Sequence, residues 1–277
     1  MNDVNLKQLT SLRHLALDLD GTLYLGGRVF DFTAPFLQLL DALGIGRTFF
    51  TNNSSKSTKQ YVEHLEDMGI VATERDIYSS THATLHYLRE KRPEVQKLFV
   101  LGTPGLQEEI AEHGYTLCGD GADAPDAVVV AFDTTLTYAR LCRAAYWIAQ
   151  GKSYIATHPD RICPTDLPTV LPDCGAMCAL LTHATGRPVE AVLGKPAAAM
   201  LQGVMARHGI APQEIAVVGD RLYTDMAMAR NAGGTGILVL SGETTRAEAD
   251  AADPKPDLVV SDVGELGELL RRAKRPA

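Results

Sequence analysis

Asp18 and Asp20 stand two residues apart at the end of a largely apolar run, His14-Leu15-Ala16-Leu17, and Gly21-Thr22 follows them. If the run is a strand, alternate residues share a face, so both carboxylates project on the same side. Gly21 then lets the backbone turn at once without a side-chain clash. Carboxylates this close repel one another unless a cation or a shared proton relieves them. By itself the pair fits a catalytic site or a solvated turn. A twelve-residue calcium loop needs further acidic ligands and a closing Glu, and Tyr24-Leu25-Gly26-Gly27 does not supply them.

Three more polar turns follow apolar runs. Thr51-Asn52-Asn53-Ser54 comes directly after Phe49-Phe50. A small hydroxyl and exposed amides ahead of a helix can bind phosphate, although Asn and Ser in such a place also serve simply as helix caps. Gly194-Lys195-Pro196 follows Val192-Leu193 and offers a fixed positive charge. It is not a phosphate loop of the Walker type, because Val189 and Pro196 stand where that pattern needs Gly and Ser or Thr. Gly219-Asp220-Arg221-Leu222-Tyr223-Thr224-Asp225 follows Ile215-Ala216-Val217-Val218, with Asp225 where a helix begins. Capping explains Asp225 taken alone, but it does not explain four Asp, one Thr and one Lys gathered at strand tips. The collection points to a metal–phosphate site. Oxygen ligands suit a hard divalent ion such as Mg2+, and the absence of His and Cys from these turns argues against zinc.

Stepping from side chains to the elements that carry them, His14–Leu17, Arg47–Phe50, Lys97–Leu101, Ala127–Phe132, Ser153–Ala156, Ile215–Val218 and Gly236–Leu240 read as strands. Amphipathic segments lie between them. One is expected over Pro35–Leu43, with Pro35 placed to start it and Gly44 to stop it, and another over Ser57–Met68. Such alternation predicts an α/β fold with parallel sheets and helices on both faces, and ligands beyond the carboxyl ends of the strands. About a hundred residues separate the second polar turn from the third, enough for a small domain with its own strands and helices. The division expected is a doubly wound, Rossmann-like core over 1–82 and 189–277, with a second, smaller α/β domain inserted over 83–188.

The 277 residues are 45% hydrophobic and 22% charged, an ordinary globular composition. A net charge of −8 argues against general binding to nucleic acid or an anionic membrane. The basic cluster Arg271, Arg272, Lys274 and Arg275 reads as cations at the end of a final helix. The first seven residues lack the apolar core of a signal peptide, and no run of about eighteen apolar residues would span a membrane. Cys118, Cys142, Cys163, Cys174 and Cys178 are odd in number and scattered, which points to free thiols and the cytoplasm. Cys174 and Cys178 can share a helix face as buried thiols.

The four motifs, in this order, resemble the haloacid dehalogenase-like phosphatases over essentially the whole chain. Asp18-Leu19-Asp20-Gly21-Thr22-Leu23-Tyr24-Leu25-Gly26-Gly27, Thr51-Asn52-Asn53-Ser54, Gly194-Lys195-Pro196 and the turn from Gly219 to Asp225 are similar to the NagD-like branch. That branch includes 4-nitrophenylphosphatases, sugar phosphatases, and pyridoxal and phosphoglycolate phosphatases, and it carries a large α/β cap between the second and third motifs. The resemblance implies that Asp18 attacks phosphorus and becomes an aspartyl phosphate. It implies that Asp20 protonates the leaving oxygen and then takes a proton from the hydrolytic water. Mg2+ would be held by the Asp18 carboxylate, the Asp20 backbone carbonyl and the Asp220 carboxylate, with Asp225 supporting it through water or an outer hydrogen bond. Thr51, the Asn52 backbone amide and Lys195 would hold the phosphoryl oxygens.

Within the cap, Phe132–Tyr138, the run Ala156-Thr157-His158-Pro159-Asp160 and Gly175-Ala176-Met177 match recurrent elements of the branch. His158 departs from it, since many relatives have Asn there. His158, Asp160 and Gly175 are candidate cap residues for the substrate, and 161–173 is the expected specificity loop. A small phosphorylated metabolite is the implied partner, with a homodimer through the cap. A phosphotransferase or mutase would use the same aspartyl phosphate, and acceptor-dependent products would separate it from a hydrolase. A non-catalytic phospho-ligand sensor on this fold should have lost one of Asp18, Asp20, Lys195 or Asp220, and none is lost.

Overall fold

Buried aliphatic runs form the strands of a computed structural model that describes residues 8–119, 123–163 and 169–274. The first seven residues, part of the 161–173 segment and Arg275 lie outside the described residues. In chain order the strands are β1 (His14–Asp18), β2 (Tyr24–Leu25), β3 (Arg28–Val29), β4 (Gly46–Thr51), β5 (Ile77–Ser79), β6 (Lys97–Leu101), β7 (Thr116–Leu117), β8 (Ala127–Val130), β9 (Ser153–Ala156), β10 (Ile162–Cys163), β11 (Leu171–Pro172), β12 (Ala191–Val192), β13 (Ile215–Gly219), β14 (Thr235–Val239) and β15 (Leu258–Val260). The described residues divide into two units, one drawn from Met1–Phe50, Leu65–Tyr78 and Lys195–Ala277, the other from Thr51–His64 and Ser79–Gly194.

The first unit is built on a sheet of order β15-β14-β13-β1-β4-β5. β1 lies parallel between β13 and β4, with Leu17 opposite both Val218 and Phe49. All five residues of β13 are buried, as a strand covered by helices on both faces must be. Each fully buried Val or Leu adds about 1.5–3 kcal/mol. The chain leaves β1 towards β4 on one side and later returns to β13 on the other. The carboxyl ends of β1 and β13 therefore flank a topological switch point, where ligands bind in such sheets.

In this unit helix Thr33–Leu43 ends at Gly44 in the left-handed conformation, as expected. It starts two residues before Pro35, however. Thr33 Oγ1 donates to the Leu23 carbonyl at 2.5 Å, which anchors the opening turn upstream of the proline. The last helix, Val263–Ala273, carries Arg271 and Arg272 in its final turn. Lys274 is less idle than a solvated cation, because its Nζ donates to the carbonyls of Thr10 and Leu12, both at 2.7 Å.

The second unit has a parallel sheet of order β12-β9-β8-β6-β7. Its core packs Phe99, Val128, Val130 and Tyr154 against Trp147 and Ile148 of helix Tyr138–Ala149 and against Cys174, Cys178 and Leu181 of helix Cys174–Thr185. Both thiols are buried and free, with sulfurs 3.9 Å apart. An antiparallel pair, β10 with β11, precedes the second helix. The segment Thr51–His64 belongs to this unit because long-range hydrogen bonds tie it there. Thr58 donates through N and Oγ1 to the two Glu109 oxygens at 2.9 and 2.6 Å, and Ser54 Oγ lies 3.2 Å from Thr157 Oγ1. No helix among the described residues is long and apolar enough to cross a membrane.

Candidate active site

In the first unit, the tips of β1 and β13 bring three carboxylates and one ammonium together. Asp18 ends β1, Asp220 follows β13, and Asp225 lies in the irregular helical turn Leu222–Met226 that precedes helix Ala227–Ala232. Oxygens of the three approach within 4.8 Å of one another. Lys195 Nζ donates to Asp18 Oδ1 and, at 2.7 Å, to Asp225 Oδ1. Lys195 and Asp220 are nearly fully buried and Asp225 completely so. Buried charges of this kind persist only when they are paired.

Local structure aims each group. Gly21 has φ +80°, and a Cβ there would collide with the Asp220 carboxylate, so only glycine allows the β1 turn to pass this close to β13. The turn is closed by Gly21 N donating to the Tyr24 carbonyl at 2.7 Å, and Thr22 Oγ1 donates to Asp18 Oδ2 at 3.4 Å. Asp20 is exposed, with Oδ1 accepting from Gly26 N at 3.3 Å. Asp220 Oδ2 accepts from Glu243 N at 2.7 Å. Asp225 is not a helix N-cap; its Oδ2 accepts from Arg221 N at 3.3 Å, inside the turn.

The electrostatics call for another cation. Burial, then Asp225 and Asp220, push the Asp18 carboxyl up to about 8 against the pull of Lys195. Burial and Asp225 raise Asp220 to about 6. Burial opposes the charge on Lys195, but Asp18 and Asp225 override it and keep the ammonium protonated. The Lys195 ammonium and the Arg221 guanidinium, the latter paired with Glu243, leave the three carboxylates short of positive charge. Asp220 Oδ1 is also buried without a hydrogen-bond partner among the described residues. An orphaned oxygen in an acidic, oxygen-only cluster fits a hard divalent cation.

The second turn belongs to the other unit. Phe50 of β4 registers with Asp18, and Thr51 is the next residue and the last of the strand. Thr51 Oγ1 accepts from Asn53 N at 3.1 Å, and the Asn52 carbonyl accepts from Ser80 Oγ at 2.6 Å. Asn52 Nδ2 lies 3.1 Å from both oxygens of Asp160. The candidate cap residues fall together beside it. His158 lies between Asp160 and Asp173, and Gly175 N donates to the Asp160 carbonyl at 2.7 Å.

Sequence reasoning missed Asp173, the second carboxylate facing His158. The only signal for it was an Asp directly ahead of a helix. It also missed Glu243, whose amide holds Asp220 and whose carboxylate pairs with Arg221 at 2.9 Å and accepts from the Tyr223 hydroxyl at 2.9 Å.

Comparison with known proteins finds relatives over most of the chain. A family model described as haloacid dehalogenase-like hydrolase matches residues 15–116, and a second, HAD-hydrolase-like model matches 192–266. The chain is 32% identical over 250 residues to the 5'-nucleotidase YutF of Bacillus subtilis, covering 90% of this chain and 95% of that one. Among solved structures, a 4-nitrophenylphosphatase of Thermotoga maritima superposes with a TM-score of 0.88 at 37% identity, covering 94% of this chain and 98% of that one. A glycerol phosphate phosphatase of Mycobacterium tuberculosis, in complex with magnesium, gives 0.86 at 32% identity, covering 94% and 78%.

Proposed function

The chain belongs to the haloacid dehalogenase-like hydrolases, and we propose that it is a Mg2+-dependent phosphatase that hydrolyses small phosphomonoesters through an aspartyl phosphate on Asp18. The observation that carries this reading is the pairing of Lys195 with Asp18 and Asp225 beside the orphaned Asp220 Oδ1. Lys195 opposes the burial that raises Asp18, and a divalent ion held in the same cluster would complete its ionisation to the nucleophile.

An Asp18 oxygen attacks phosphorus, and the bond from phosphorus to the leaving oxygen breaks as Asp20 gives that oxygen its proton. Asp20 then takes a proton from water, whose oxygen attacks the same phosphorus, releasing phosphate and restoring Asp18. Thr51, the Asn52 backbone amide and Lys195 hold the phosphoryl oxygens throughout. The Asp18 and Asp220 carboxylates and the Asp20 carbonyl would hold Mg2+, with Asp225 in support. When bound, the ion neutralises charge on the phosphoryl group.

Residues 83–188 serve as the substrate-specificity cap, with His158, Asp160 and Gly175 near its working face, and also as the surface of a homodimer. Sugar phosphates, nucleoside monophosphates and 4-nitrophenyl phosphate are the substrates favoured, in line with the names of the relatives. Free cysteines fit a cytoplasmic setting.

The test is phosphate release from a panel of phosphorylated metabolites and 4-nitrophenyl phosphate, with Mg2+ and with excess EDTA. Release that needs Mg2+ supports the reading, and silence across the panel overturns it. Asp18→Asn should abolish turnover, and near-normal activity in that variant would sink the mechanism.

A further inference from the structure

His158 is completely buried, yet neither ring nitrogen makes a hydrogen bond among the described residues. Each faces a carboxylate instead: Nδ1 lies 3.6 Å from Asp160 Oδ2 and Nε2 3.4 Å from Asp173 Oδ1. One ring nitrogen and one oxygen of each aspartate lie within 4.8 Å of one another, and each nitrogen faces its own carboxylate, so a doubly protonated ring pairs with both. The arrangement is an ion triad. Asp173 is anchored in turn by accepting from Cys174 N at 2.5 Å, and Asp160 binds the Asn52 side-chain amide with both oxygens. Gly194 shows how closely these groups pack, since a Cβ there would sit 2.5 Å from both Asn52 Oδ1 and His158 Cβ.

We propose that His158, carried as an imidazolium between Asp160 and Asp173, is a positioning residue for the phosphate-binding turn, fixing the carboxylate that holds Asn52. The inference rests on the reading of Asn52 as a phosphoryl-binding residue. Two carboxylates this deep repel one another when nothing cationic stands between them. Asp160 then has reason to move towards solvent, taking the Asn52 side chain with it. The groups facing the ring are Asp160, Asp173 and Cys174. Burial opposes the imidazolium, but Cys174 and the two carboxylates raise the ring to about 9. Burial also pushes the Cys174 thiol up, so at neutral pH the aspartates alone hold the ring charged, and about 9 is the upper end of its titration. The folded value is the raised one, so the triad is intact at neutral pH and is lost as pH rises through about 9.

Two measurements on the full chain test this. The first is an NMR titration of histidine-labelled protein, with the His158 ring signal assigned by its loss in His158→Asn. A midpoint raised above the ordinary histidine range, up to about 9, followed by the Asn52 side-chain amide signals, is expected. Asp173→Asn should lower that midpoint. A ring that titrates in the ordinary histidine range, or Asn52 signals indifferent to it, overturns the proposal. The second is the pH profile of 4-nitrophenyl phosphate hydrolysis with saturating Mg2+. Wild type should lose kcat/KM on the alkaline side through KM. His158→Asn and His158→Gln should be about tenfold poorer at neutral pH, equivalent to about 1.4 kcal/mol, and should lack that limb. Variants with wild-type KM and an unchanged limb overturn it. A wild type inert towards every phosphomonoester, with His158 still titrating above the ordinary histidine range and Asn52 following, would fell the proposed function and uphold the clamp.

Discussion

Lys195 Nζ donates to Asp225 Oδ1 at 2.7 Å while also paired with Asp18, so one buried ammonium bridges the turn after β13 and the tip of β1. Lys195→Met keeps most of the unbranched side chain and removes its charge, leaving Asp18 and Asp225 without their ammonium. Breaking a buried pair from one side costs about 3–5 kcal/mol. We expect a loss of that order in urea denaturation in EDTA, partly recovered in Mg2+, together with a fall in phosphate release of at least about a hundredfold. A variant as stable as wild type in EDTA would refute the bridging role.

Metal removal should show a particular dependence on pH. In the metal-free protein Asp18 and Asp220 rise from 3.8 to about 8 and about 6. Folded carboxyls then hold protons that unfolded ones release. Their contribution to stability is full below about 3.8 and drains away as pH rises towards 8. Mg2+ binds the ionised form and should reverse that trend, adding about 2.7 kcal/mol at a hundred times its Kd. Thermal melts at pH 5 and pH 8, with EDTA and with Mg2+, check this. The Mg2+ gain should be larger at the higher pH and should vanish in Asp220→Asn.

The acidic half of this site was legible because Asp18 and Asp220 each follow a largely apolar run. In a parallel sheet such runs share a direction, so Asp18 and Asp220 had to emerge at the same edge, as they do after β1 and β13. The hydrogen bonds that tie Thr51–His64 to the second unit were not legible. Thr58 with Glu109 and Ser54 with Thr157 join residues far apart in the chain, and neither pair leaves a periodic trace. The start of helix Thr33–Leu43 was misjudged for a related reason, since a long-range bond from Thr33 to Leu23 outweighs the usual place of proline. His158 stood out as a departure from the branch, but its meaning needed Asp173, fifteen positions on and otherwise an ordinary helix cap.

His14 opens β1 buried against Thr48 and His208, with Nε2 2.8 Å from Thr48 Oγ1 and the two imidazole rings 4.5 Å apart. Burial, then His208, push it from 6.5 down to about 4. The unfolded chain takes up this proton below 6.5 and the folded chain only near 4, so its contribution to stability is full above 6.5 and is lost as pH falls between the two. The loss is on the order of 3 kcal/mol. Urea denaturation of wild type and His14→Gln at pH 4.5 and pH 7 isolates it, because the carboxylates of the active site are common to both. The wild type should lose more stability than the variant, and equal losses would refute the assignment.

Gly194 directly precedes Lys195 in the chain and packs against the Asn52 side chain, and its lack of a side chain has a specific cause. A Cβ at that position would stand 2.5 Å from Asn52 Oδ1 and from His158 Cβ, and 3.0 Å from the Thr157 carbonyl. The first neighbour is the end of a movable side chain; the other two are held in a packed loop. Gly194→Ala should therefore displace the Asn52 side chain from Asp160 before it disturbs the sheet. Overpacking of this kind costs about 1–3 kcal/mol. Phosphate-ester hydrolysis should then show a raised KM with a smaller change in kcat, because the variant weakens the hold on the phosphoryl group and leaves Asp18 and Asp20 in place. Gly194→Ala with unaltered KM and stability would mean that the turn has slack the packing does not reveal.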